Sequence, residues 1–133
     1  MNNPGVWPSL LYRDAETARR FLTEVFGFTE ALVVRGEDDV TIAHAELIWP
    51  EGGGVMFGSR DKEGSVLPLP AEGPQWLYVA TDDPDAVYKR AVDAGAMIHH
   101  ELRETDYGSR DVAVGDPEGN IWTFGTYRGA HAS

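Results

Sequence analysis

The sequence predicts an α+β fold made of two tandem βαβββ modules, and three observations carry that prediction. First, a stretch of sequence recurs. Trp49 opens WPEGGGVMFG and Asp116 opens DPEGNIWTFG, so Pro50, Glu51, Gly52, Phe57 and Gly58 return 67 positions later as Pro117, Glu118, Gly119, Phe124 and Gly125. Self-similarity at a fixed offset marks a duplicated structural unit. Second, the front ends match: Trp7 stands seven residues before Asp14 as Trp76 does before Asp83, and Gly27 and Gly95 each follow a helical stretch. Third, the chain has 133 residues, 42% hydrophobic content and no cysteine. A domain of that size buries enough apolar surface to fold without disulfides or a structural metal. Residues 1–133 therefore read as a single domain, with module one at about 5–59, a linker at 60–74 and module two at about 75–128.

Taken in order, Val6 to Tyr12 reads as a strand, and Asp14 supplies a carboxylate cap to the free amides of a helix start. Ala18, Phe21, Leu22, Val25 and Phe26 follow at spacings of three and four, forming one apolar stripe that Gly27 closes. Extended segments come next at Phe28 to Arg35, Val40 to Trp49 and Gly54 to Ser59, separated by the turns GEDD and PEGGG. In the second module Trp76 to Thr81 reads as a strand, Asp83 as a cap, Pro84 as a first-turn proline and Val87 to Ala94 as the helix, with Gly95 past its end. Strands follow near Ala96 to Leu102, Ser109 to Val114 and Ile121 to Tyr127. Between the modules, RDKEGSVLPLPAEGP carries three prolines and mixed charge and reads as a solvated connector.

Eleven Lys and Arg stand against 22 Asp and Glu, a formal charge of −11. An acidic chain repels phosphate backbones and anionic lipid, and no apolar run approaches a membrane span, so neither nucleic acid nor membrane is an expected partner. MNNPGVWPSLLYRD lacks a basic segment followed by an apolar one, and a cytoplasmic location is expected. No serine sits in a G-x-S-x-G elbow, and the GGG at Gly52 to Gly54 has no phosphate-loop lysine, so nucleophilic hydrolysis and nucleotide binding lack support. Asp116, Pro117, Gly119 and Asn120 read as turn residues.

The duplicated βαβββ unit, with YGSRDVAVGDPEGNIWTFGTY from Tyr107 to Tyr127 and the helix-ending FGF and AGA segments at Phe26 and Ala94, resembles the vicinal oxygen chelate superfamily of glyoxalases, bleomycin-resistance proteins and extradiol dioxygenases. The resemblance covers nearly the whole chain. It implies half-barrel sheets with a concave, ligand-lining face and helices on the convex face, and pairing into a homodimer. It also implies a divalent metal held by His at the start of each module's first strand and Glu in its last strand. At those positions this sequence has Trp7, Trp76, Met56 and Thr123. None is a good ligand for a hard or borderline metal, so no metal and no cofactor is expected.

The four histidines offer little in place of that site. His99 and His100 are adjacent and expected on opposite strand faces, and His131 lies in a small polar tail. His44 shares a face with Glu46 and, by the repeat offset, with Asp111; such a set is either a polar network or a new metal site. If Trp7 and Trp76 occupy the ligand positions, alternation places Ser9, Leu11, Tyr78, Ala80, Ile121 and Thr123 on their face. Aromatic walls with a few polar groups suit a small-molecule pocket, whereas tryptophan's bulk would equally fill the space. Arg110 is a candidate carboxylate clamp or an internal ion pair. The expected ligand-binding set is Trp7, Ser9, His44, Glu46, Met56, Trp76, Tyr78, Arg110, Ile121 and Thr123, with no catalytic residue. The leading expectation is metal-independent binding of a small aromatic or cationic molecule. A metal-dependent lyase, isomerase or dioxygenase and a non-catalytic dimeric regulatory module are the alternatives.

Overall fold

In the computed structural model, residues 4–60 and 67–130 are described. His131 and residues 61–66 of the predicted linker lie outside them. The chain divides into two compact units, Met1–Glu72 and Gly73–Ser133.

The first unit runs β1 (Ser9–Tyr12), α1 (Ala15–Phe21), β2 (Thr29–Arg35), β3 (Ile42–Ile48) and β4 (Gly54–Ser59). The second repeats the order as β5 (Trp76–Ala80), α2 (Pro84–Asp93), β6 (Ile98–Glu104), β7 (Arg110–Gly115) and β8 (Ile121–Gly125). Each unit has one four-stranded mixed sheet, in the orders β1-β4-β3-β2 and β5-β8-β7-β6; β1 is parallel to β4 and β5 to β8, and the other pairs are antiparallel. The α+β architecture of tandem βαβββ modules is the one the repeat predicts.

Local chemistry sets the ends of these elements. The Asp14 carboxylate accepts from the Thr17 amide at 3.0 Å and that of Asp83 from the Ala86 amide at 3.1 Å, each satisfying an orphan donor of a helix start. The first helix continues from α1 into a π-helical stretch, Leu22–Phe26, before Gly27 (φ 97°) ends it; Gly95 (φ 73°) follows α2. The first strand begins at Ser9 rather than at Val6, because Pro8 has no N–H to donate to a ladder. The third begins at Ile42 rather than Val40, because the Asp38 carboxylate takes the Val40 and Thr41 amides at 3.0 and 2.8 Å. The predicted connector is exposed from 67 to 72, yet its end is tied to the first unit. Glu72 pairs with Arg13 and Arg60, and the Pro70 carbonyl accepts from Arg60 Nη2 at 2.7 Å.

Strand alternation gives each sheet a buried face and an open one. In the first unit Leu10, Tyr12, Ala45, Leu47, Val55 and Phe57 are buried with Ala18, Leu22 and Phe26 of the helix, which packs on β1 and β4. In the second, Val112, Val114, Trp122 and Phe124 are buried with Val87 and Ala91 of α2. The opposite faces are left without a helix.

The repeated PEG turn carries structural duty in the second unit. Asp116 is buried, and its Oδ1 accepts from the amides of Glu118 and Asn120 at 2.9 and 3.1 Å. Its Oδ2 accepts from Asn120 Nδ2 at 2.9 Å and Trp122 Nε1 at 3.0 Å. Asn120 Oδ1 in turn accepts from the Gln75 amide at 2.9 Å, fixing the start of β5. A buried carboxylate that receives four donors is stable in place and leaves no lone pair for chemistry.

Candidate functional site

A cavity of about 500 Å³ lies on the open face of the second sheet. The register builds it. Trp76 pairs with Ile121 and Tyr78 with Thr123, so these four side chains share one face of β5 and β8. Asp111 and Ala113 lie on the same face of β7, since Asp111 is opposite Gly125 and Ala113 opposite Thr123. Tyr107, from the turn before β7, adds a second exposed phenol ring that meets Tyr127 edge-on at 5.8 Å.

Trp76 is 83% exposed and Tyr78 47%, so the aromatic wall is open to solvent rather than packed shut. The Tyr78 hydroxyl donates to the Tyr127 carbonyl at 2.6 Å, and burial of that hydroxyl raises its pKa, keeping it a donor. Gly125 makes room for the ring: a Cβ there would stand 2.7 Å from Tyr78 Oη and 2.9 Å from Asp111 Cβ.

The fourth wall is β6, where adjacent His99 and His100 both line the cavity. That overturns the expectation of opposite faces. Ile98 pairs with Val114 and His100 with Ala113, so two steps on β6 match one step on β7 and His99 is the extra residue of a β-bulge. A second irregularity between His100 and Arg103 brings Arg103 opposite Asp111. Asp111 is 2% exposed; Arg103 Nε donates to its Oδ1 at 3.1 Å, and His100 Nε2 lies 3.6 Å from the same oxygen.

Of the ten residues singled out from the sequence, Trp76, Tyr78, Ile121 and Thr123 line this cavity. Arg110 does not. Its guanidinium makes a two-pronged pair with Asp85 of α2, at 2.8 and 2.9 Å, and bonds Glu104 at 3.0 Å. It is the internal ion pair of the two readings, because its side chain reaches toward the helix. On the first sheet Ser9 is opposite Met56, which is opposite Glu46, and Glu46 Oε2 lies 2.8 Å from His44 Nε2. Trp7 precedes β1; its indole N–H donates to the Pro4 carbonyl at 3.2 Å, and its ring covers Gly54. His99, His100, Arg103, Tyr107 and Asp111 are the polar lining residues outside the predicted set, joined by Leu77 and Ala113. Alternation from Ala113 would have reached Asp111, whereas the bulge is visible only in strand pairing.

Residues 6–124 match the Glyoxalase/Bleomycin resistance protein/Dioxygenase superfamily, and the chain belongs to it. An uncharacterized protein of Mycobacterium bovis, Mb0911c, is 31% identical over 127 residues, covering 92% of this chain and 82% of that one. The crystal structure of TioX from Micromonospora sp. ML1 superposes with a TM-score of 0.76 at 32% identity, over 91% of this chain and 98% of that one. A glyoxylase/bleomycin resistance protein/dioxygenase domain from Frankia sp. EAN1pec shares the fold, with a TM-score of 0.71 at 24% identity over 98% and 96% of the two chains.

The metal implied by this superfamily does not fit the side chains present at the corresponding positions. An indole has an N–H and no lone pair to give, a thioether is a soft ligand, and a neutral hydroxyl is a weak one. Trp7, Trp76, Met56 and Thr123 supply only these. Among the described residues no group of three or more His, Asp or Glu is placed to hold a metal ion. Among the described residues no helix is long and apolar enough to cross a membrane.

Proposed function

We propose that the protein is a metal-independent binding protein of the bleomycin-resistance kind, which sequesters a small aromatic molecule on the open face of its second sheet. The observation that carries this reading is the cavity of about 500 Å³ with Trp76, 83% exposed, on its wall. Pockets of that volume hold drug-sized ligands, and a large exposed indole beside a phenol ring is a stacking surface. Sequestration needs no catalytic group. A thermal-shift screen of planar aromatic compounds and antibiotics, followed by calorimetry of the hits, tests it. Stacking adds about 0.5–1.5 kcal/mol per ring beyond area burial, so Trp76→Ala is expected to weaken a hit by about tenfold. Unchanged binding in that variant would remove the cavity from the function. Elemental analysis of the purified protein is expected to show no stoichiometric Ni, Zn, Mn or Fe, and a bound metal would favour a lyase, isomerase or dioxygenase instead.

The same reading includes a homodimer. Each four-stranded sheet leaves two edge strands, β1 and β2 in one and β5 and β6 in the other, and an open face without a helix. A second copy would cover such surfaces. Sedimentation equilibrium at micromolar concentration is expected to give twice the chain mass; the monomer mass would refute it.

A further inference from the structure

The cavity of the second unit has two unlike sides. On β5 and β8 stand Trp76, Tyr78 and Ile121, while on β6 and β7 every charged or titratable lining group is a nitrogen base apart from Asp111. Asp111 is 2% exposed and already partnered by Arg103 Nε at 3.1 Å. A buried carboxylate in that state is neutralised where it stands and leaves no unpaired anion for a cationic ligand to meet. Arg103 is in the opposite condition. Its side chain is 58% exposed, and among the described residues it makes only the Nε bond. A guanidinium carries five N–H donors in a rigid plane. Fixing the Nε edge on a buried anion therefore orients the two terminal nitrogens without using them.

The chain's charge of −11 draws cations from a distance, but that field is screened over about 8 Å at physiological ionic strength, and at contact the nearest donors decide. We propose that the ligand of this cavity is an aromatic carboxylate, its ring on Trp76 and Tyr78 and its carboxylate on the terminal nitrogens of Arg103. A two-pronged guanidinium–carboxylate bond is charge-assisted and directional, so it selects the acid over isosteric neutral or cationic heads. Arg103 is then the specificity residue, and the proposal rests on the reading of the cavity as an aromatic binding site.

Three probes with one bicyclic body separate the two ideas: naphthoate, naphthamide and naphthylmethylammonium, titrated calorimetrically into the full chain. Naphthoate is expected to bind tightest, by about tenfold over the amide. Arg103→Gln should erase that advantage while naphthamide still binds, at an unfolding midpoint lowered because buried Asp111 loses its counter-charge, and Arg103→Lys, which keeps charge but not the planar fork, should restore part of the advantage. Naphthoate binding no tighter than the amide, or the ammonium binding tightest, would overturn the acid preference and leave the aromatic site standing. An advantage that survives Arg103→Gln would overturn the role of Arg103. Failure of all three probes would overturn the aromatic site and this proposal together.

Discussion

Trp122→Ala is expected to lower unfolding free energy by about 3–5 kcal/mol, read as a fall in the urea midpoint at unchanged slope. The side chain is 1% exposed and stands on β8 opposite Val114, on the sheet face whose Val112 and Phe124 are buried too. Alanine removes that volume from a packed interior, and the residual cavity adds to the lost transfer free energy. It also removes the donor that Trp122 Nε1 gives Asp116 Oδ2 at 3.0 Å, in a turn whose carboxylate is itself buried. Trp76→Ala supplies the internal comparison. It is the same residue type one strand away, but at 83% exposure its loss should cost no more than about 0.5 kcal/mol. Equal losses from the two variants would mean that the assignment of the two sheet faces is wrong.

That contrast between two tryptophans was legible in the sequence, because alternation along a strand is a local rule. So were the helix caps at Asp14 and Asp83 and the glycines after both helices, which act within a few residues of themselves. What escaped depended on partners distant in sequence. The bulge at His99 exists only as a mismatch in the count between β6 and β7, and a second mismatch between His100 and Arg103 sets Arg103 opposite Asp111. Sequence reasoning singled out Arg110 for its place in the family motif, yet Asp85 on α2 engages it on the other side of the sheet. The first strand starts three residues later than its pattern suggests for a simpler reason: Trp7 has the pattern of a strand residue, but Pro8 stands between it and the ladder.

Gly54→Ala is expected to destabilise the first unit by about 1–3 kcal/mol or more and to release the Trp7 ring. Gly54 opens β4 opposite Ile48, and a Cβ there would overlap the Leu47 carbonyl oxygen and stand 2.7 Å from Cζ3 of Trp7. A backbone oxygen in a ladder cannot step aside as a flexible side chain does, so either the strand pairing or the indole must shift. The repeat explains why a glycine stands here. Gly54 corresponds to Ile121 of the second module, by the same 67-residue offset that relates Phe57 to Phe124. Over a glycine, Trp7 lies against the strand; beside Ile121, its counterpart Trp76 finds the space taken and stands 83% exposed on the cavity wall. One difference at equivalent positions thus goes with a half-buried indole over Gly54 in one module and an exposed indole on the cavity wall in the other. Nuclear magnetic resonance of the indole N–H groups checks it: in Gly54→Ala the Trp7 signal should move as its bond to the Pro4 carbonyl is lost, while that of Trp122, held by Asp116, stays in place. An unmoved Trp7 signal with unchanged stability would show that the ring does not depend on the glycine.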